Sequence, residues 1–243
     1  MQLPLPENGP SLARPDDDAP LKTRILPDLR AVPQMSDILR SLGYPPEAKP
    51  PLQVVQSIEK LMGEASAYLQ PRGTFSLYAP TALTERSLEI GGATINGNIG
   101  EFLRGASRVA VFMVTVGNRI TREAKIRCDS GDAFAGLVLD TIGSWAAELT
   151  AEALTAQMSS LLEAGESFTL RYSPGYCGMD LDQQRVLFRL APAGNIGISL
   201  LPSLLMQPLK SISGIIGLGS RELVGVHLSP CERCPQIGCH MRR

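Results

Sequence analysis

Histidine is almost missing from this chain of 243 residues, with His227 and His240 the two that occur. Both sit close to the C-terminal end, and no serine or cysteine elsewhere has a basic partner in a recognisable pattern. This argues against a self-contained hydrolase built on a nucleophile and a paired base. The charge balance is close to neutral, at −1, which gives no basic field for nucleic acid and no attraction to an anionic membrane surface. The longest apolar runs, such as 109–116, fall far short of the roughly 20 residues that a membrane-spanning helix needs. A basic region followed by an apolar core is absent from the start of the sequence, so the expectation is a cytoplasmic protein. The five cysteines are odd in number and three crowd the C-terminal end, unlike the disulfide framework of a secreted domain. Gly217-Leu-Gly219 lacks the third glycine of a dinucleotide loop and runs into a strand pattern.

What is present is an ordinary globular composition, 44% hydrophobic and 19% charged, in a chain long enough to bury a sizeable core. Residues 1–30 are rich in proline and carry the acidic run Asp16-Asp-Asp18, so they are expected to form a poorly ordered arm. A compact domain should follow over 31–228, with a helical lead-in across 31–70, and 229–243 form a cysteine-rich tail. Within the domain, short helices are expected at 36–42 and 119–127, and a longer one begins at Leu52 and stops at Pro71-Arg-Gly73. Strands are expected at 74–78, 87–90 and 93–95, the last two joined in hairpin style by Gly91-Gly92, with one helical turn over 97–103. The stretch 109–116 is apolar almost throughout and reads as a strand buried on both faces. The longest helix, 132–162, would face the core with Phe134, Leu137, Val138, Thr141, Trp145 and Leu149. After it come a strand at 168–172, a helix at 182–190, and strands at 195–200, 212–218 and 223–227. Helices mixed with non-adjacent strands argue for an α+β fold, a mixed or antiparallel twisted sheet with flanking helices.

The chemistry centres on Arg171-Tyr-Ser-Pro-Gly-Tyr-Cys177. Pro174 fixes its own φ and Gly175 can take a positive one, so the strand before them turns sharply. An arginine before such a turn and a tyrosine after it can converge on one concave spot, where a guanidinium grips a carboxylate and a phenol adds a hydrogen bond. The plain alternative is a strand and turn with a surface arginine.

This Arg-x-x-x-Gly-Tyr pattern resembles the S-adenosylmethionine-binding motif of the activation (reactivation) domain of cobalamin-dependent methionine synthase. Other blocks resemble the same family in the same order: Asp132 to Ala153 with Gly143-Ser-Trp-Ala-Ala-Glu148, Asp180 to Phe188, Ile196 to Pro208, and Lys210-Ser-Ile-Ser-Gly214. The resemblance runs from Ala31 to the C-terminus and matches the free-standing form. It implies that Arg171 pairs with the carboxylate of S-adenosylmethionine, Gly175 lets the backbone approach the ligand, and Tyr176 lines the site. Glu148 corresponds to a helix glutamate suited to the ligand's ammonium, and Ser213 lies on the Ser-x-Ser-Gly strand that closes the pocket. Leu201-Pro-Ser203 departs from the Thr-Glu-Ser usual before Met-x-Pro, and Cys177-Gly-Met-Asp180 replaces the fused enzyme's Pro-Ala-Cys-Pro continuation.

Cys231-x-x-Cys234-x4-Cys239 is a second signal, since thiolates at C-x-x-C spacing can bind one metal ion. His227, His240 or Cys177 could complete a zinc site or an iron–sulfur cluster, and a reduced thiol cluster is the plain alternative. Cys128 reads as an ordinary helix-end cysteine. The resemblance implies an accessory component that binds S-adenosylmethionine and supports reductive methylation of cobalamin on a separate corrinoid-dependent methyltransferase or corrinoid protein, with an electron donor. The alternative is a metal-binding interaction or corrinoid-carrier protein on the same fold that has lost S-adenosylmethionine binding. A conventional small-molecule methyltransferase ranks last, because its glycine-rich loop after a first strand is missing.

Overall fold

The computed structural model describes residues 18–224. In chain order the elements are β1 (Lys22–Leu26), α1 (Met35–Ser41), α2 (Leu52–Ala65), β2 (Arg72–Tyr78), β3 (Ala82–Leu83), β4 (Ser87–Ile90), β5 (Ala93–Asn96) and α3 (Ile99–Phe102). There follow β6 (Ala106–Thr115), α4 (Arg119–Asp129), α5 (Ala133–Met158), β7 (Glu166–Phe168), α6 (Gln184–Leu190), β8 (Ser199–Leu200), β9 (Met206–Gln207), β10 (Ser211–Ser220) and α7 (Arg221–Val224). The main sheet has five strands in the order β1-β2-β6-β10-β7, every neighbouring pair antiparallel. The fold is α+β, as the sequence pattern implied. No helix among the described residues is long and apolar enough to cross a membrane.

Successive side chains on a strand point to opposite faces, and the two faces bury different partners. Phe75, Leu77, Ala110, Phe112, Val114, Ile216 and Leu218 pack on one face with Ala151, Leu154 and Met158 of α5. The alternate residues Tyr78, Val109, Val111, Met113 and Ile215 pack on the other with Leu88, Ile90 and Ile95 of the small sheet β3-β4-β5 and with Leu187 and Leu190 of α6. β6 is thus buried on both faces, which explains its near-continuous apolar run. The β4–β5 hairpin turns through Gly91 and Gly92, both at positive φ, the backbone that a two-residue turn matching strand twist requires.

Several expectations are corrected. Lys22–Leu26 does not belong to a poorly ordered arm; it pairs with β2 and forms an edge of the main sheet. The 195–200 segment is not a strand: Ala193–Ile196 form a 3-10 turn and only Ser199–Leu200 pair, with Met206–Gln207. Residues 221–224 are helical where a strand was expected from 223, and 225–227 lie outside the described residues.

The core face of α5 is also different. Phe134 and Leu137 are exposed, while Ala135, Gly136, Val138, Leu139, Ile142, Gly143, Ala146 and Ala147 are buried. α5 lies between the sheet and a second layer formed by Ile38 of α1, Ile58 and Leu61 of α2, and Ile120 and Ala124 of α4. Close approach on both sides favours small side chains over large ones. A Cβ added at Gly136 would meet Cys128 Sγ and would stand 2.8 Å from the Ala124 carbonyl oxygen. Because that oxygen belongs to helix backbone, it cannot yield cheaply. Gly136→Leu is expected to lower stability by about 1–3 kcal/mol, read as a lower urea midpoint, whereas Leu137→Ala on the exposed side should leave it nearly unchanged.

Candidate ligand site

β7 ends its ladder at Phe168, and the chain then touches β10 at two points. Thr169 N donates to Gly217 O at 2.9 Å, and Tyr172 exchanges backbone bonds with Ile215 at 3.0 and 2.8 Å. Gly214 makes this approach possible, since a Cβ there would stand 2.9 Å from Tyr172 O and 2.8 Å from Ser173 Oγ. Tyr172 faces the α6 side of the sheet, buried in that core, so Arg171 beside it turns the other way, toward α5. There its Nη2 donates to Glu148 Oε2 at 3.1 Å. Asp140, Ser144 and Glu148 recur every four residues and form one stripe of α5. Lys210, just before β10, reaches the same stripe, with Nζ 2.8 Å from both Asp140 Oδ1 and Ser144 Oγ.

Beyond Arg171 the chain makes two consecutive turns. Ser173-Pro-Gly-Tyr176 closes with Tyr176 N donating to Ser173 O at 3.2 Å. Proline at the second position and Gly175 at φ +87° at the third suit a type II turn. Tyr176-Cys-Gly-Met179 closes with Met179 N on Tyr176 O at 2.9 Å, and both central residues, Cys177 and Gly178, have positive φ. Gly175 N on Met179 O, at 2.8 Å, ties the two turns together.

Cys177 is a side-chain-bearing residue in the left-handed region, so something must hold it there. Its carbonyl accepts from Tyr172 Oη at 3.1 Å and from Asn98 Nδ2 at 2.8 Å, while Asn98 N donates to Tyr172 Oη at 3.0 Å. The Tyr172 ring stacks on Phe102 with centroids 4.1 Å apart. Burial pushes the Tyr172 phenol above its ordinary pKa, so it remains a neutral donor. Asn98, Phe102 and Tyr172 were not singled out from sequence, because a buried phenol and a distant asparagine carry no local pattern that pairs them.

The structure therefore brings Arg171 and Glu148 together on the α5 side of the sheet, and Gly175 follows Arg171 in the adjoining turn, which is tied to Tyr172 and Asn98. A Cβ at Gly175 would find only Leu181 Cδ1, at 3.7 Å, so the space over this turn is open. Tyr176 stands on the same turn and is 60% exposed. Ser213 is not brought to this group. It is buried opposite Met113 on the α6 side of the sheet, the face turned away from Glu148. The 202–208 segment forms the β8–β9 tip, where Arg185 Nη2 approaches Pro202 O at 3.5 Å. Cys231, Cys234 and Cys239, with His227 and His240, lie outside the described residues. Among the described residues no group of three His, Cys, Asp or Glu side chains could hold a metal ion.

A family model, "Vitamin B12 dependent methionine synthase, activation domain", matches residues 101–221, which span α3 to α7 and include every element around Arg171. A crystal structure of the MetH reactivation domain bound to AdoHcy superposes with a TM-score of 0.64 at 15% identity, covering 82% of this chain and 78% of that one. The likeness extends the shared fold well beyond the matched segment. No curated protein sequence matches this chain.

Tyr172→Phe removes the hydroxyl that joins Asn98 to Cys177 and leaves the Asn98 amide without that acceptor. Loss of about 1–3 kcal/mol is expected, read as a lower thermal midpoint with an unchanged far-ultraviolet spectrum. The raised Tyr172 pKa carries its own sign. Its contribution is full below the unfolded tyrosine pKa of about 10 and is lost as pH rises through the folded value. Stability of the wild type should therefore fall more steeply than that of Tyr172→Phe above about pH 10, in parallel unfolding titrations.

Proposed function

The chain belongs, through residues 101–221, to the activation-domain family of vitamin B12 dependent methionine synthase, and from that premise we propose that it is a reactivation module. It binds S-adenosylmethionine beside α5 and the 173–179 turns and acts on cobalamin carried by a separate corrinoid-dependent partner. The observation that carries this reading is the Arg171–Glu148 pair, opposite charges 3.1 Å apart just before the 173–176 turn. A ligand bearing both a carboxylate and an ammonium matches that pair: the carboxylate goes to Arg171 and the ammonium to Glu148.

The exchange is energetically feasible. Both side chains are roughly a third exposed or less, at 27% and 35%, and a partly solvated ion pair stabilises by only about 0–1 kcal/mol. Charge-assisted bonds to a zwitterion are worth about 1.5–3 kcal/mol each, so ligand contacts outweigh the pair they replace. Bound there, S-adenosylmethionine supplies a methyl group to a Co(I) centre after one electron from a separate donor has reduced Co(II), and the sulfur keeps the S–C electron pair as S-adenosylhomocysteine. This chain's own residues act by position. Arg171 and Glu148 fix the amino-acid end, Tyr176 and the 202–208 segment shape the surroundings, and the locked 173–179 turns keep the site from drifting. Seating the partner over this edge would exclude water at the reacting atoms.

Titration calorimetry of the whole protein with S-adenosylmethionine tests the reading. Micromolar binding is expected, weakened at least tenfold by Arg171→Ala and measurably by Glu148→Gln. No binding by folded wild type, alone or with a corrinoid protein present, would favour the metal-binding or corrinoid-carrier alternative instead.

A further inference from the structure

On the α4 flank of the same helix, the β8–β9 tip, which also borders the proposed ligand site, and α4 enclose an open groove of about 410 Å³. Leu201, Leu205 and Leu209 line it from the tip side; Leu205 and Leu209 are more than half exposed. Thr121, Arg122 and Lys125 line it from α4, and these two cations are the charged groups of the lining. Lys125 is neutralised in part by Asp129, 2.8 Å away. Arg122 has no carboxylate within ion-pairing distance among the described residues. Thr121 Oγ1 is buried in the groove wall without a hydrogen-bond partner among the described residues.

The tip is also strained. Leu204 N bonds Leu201 O at 2.9 Å and Leu201 N bonds Leu205 O at 2.9 Å, closing the loop with Leu204 at φ +68°. Glycine or asparagine is relaxed at such a position, whereas a leucine there is strained. Packing that strain into a tip whose leucines face solvent points to a surface completed from outside.

We propose that this groove receives an acidic amphipathic helix of a partner protein, its apolar side chains among the three leucines and its carboxylates on Arg122 and Lys125. Charge complementarity selects this occupant: exposed Arg122 has no carboxylate partner among the described residues, so beside an apolar floor an acidic segment gains a pairing that a neutral or basic one does not. Arg122 and Lys125, one turn apart, match carboxylates spaced three or four residues apart. The location adds weight. Gly143 of α5 packs against Ile120 of α4 and Lys210, and Lys210 bonds Ser144, one turn from Glu148. A helix seated here would bring its protein over the ligand edge. The proposal rests on the reactivation reading only for which protein carries the helix.

Fluorescence anisotropy with two labelled 16-residue amphipathic peptides, one with a leucine face and a glutamate face, the other with lysine in place of glutamate, tests it on the full chain. The acidic peptide should bind, with affinity falling at least tenfold between 50 and 300 mM salt, and the lysine peptide should not. Arg122→Glu and Leu209→Ser should each weaken binding at least tenfold, and Arg122→Lys should largely preserve it. Equal binding of both peptides, binding untouched by the variants, or a self-associated protein dispersed by Leu209→Ser would overturn the proposal. S-adenosylmethionine titration of the same variants separates the two readings, since intact ligand binding with lost peptide binding concerns the groove alone.

Discussion

β10 governs the arrangement because much of its length carries so little side chain. At Gly214 and Gly217 the motif segment lies against bare backbone; Cβ atoms there would stand 2.9 Å from Tyr172 O and 2.8 Å from Thr169 Cγ2. The antiparallel register with β6 then fixes how far along the sheet this contact occurs, from Ser211 opposite Thr115 to Gly219 opposite Ala106. Once Tyr172 is bonded to Ile215, the pleat leaves Arg171 no face but that of α5. A local compositional choice on one strand thus decides which helix the arginine meets.

The second constraint is the closeness of α5 to everything around it. Its glycines and alanines admit α4 on one side and the sheet on the other, and a helix so tightly held presents Asp140, Ser144 and Glu148 in a fixed stripe. Lys210 and Arg171 dock on that stripe from two different segments. Rigid placement of Glu148 matters because a zwitterion is recognised by the separation of its charges as much as by their sign. The network around Tyr172 plays the same part for the turns, holding Cys177 in a conformation that its side chain disfavours.

Much of this was legible in the sequence, for identifiable reasons. The β6 run, the Gly91-Gly92 hairpin and the Pro-Gly break carry their conformations in their residue types, and the motif that holds Arg171 lies beside the helix that holds Glu148, with which it forms an ion pair. The readings that failed were those in which tertiary packing outweighs local pattern. Phe134 and Leu137 are large and apolar yet exposed, while the faces of α5 that meet its neighbours interleave Gly136, Gly143, Ala146 and Ala147 with Val138, Leu139 and Ile142. Lys22–Leu26 follows a proline-rich, acidic stretch, and only the free edge of β2 makes it a strand. Ser213 sits two residues before Ile215, so the period of a strand assigns both to the face away from Glu148. Asn98 reaches the turns from far away in sequence, a pairing that no local reading could supply.

The most direct test of the central claim is a crystal structure of this protein with S-adenosylhomocysteine bound. The account requires the ligand's carboxylate against Arg171 and its ammonium against Glu148, with the direct Arg171–Glu148 bond opened and the 173–179 turns unmoved. A ligand found elsewhere, with that 3.1 Å bond intact, would contradict it.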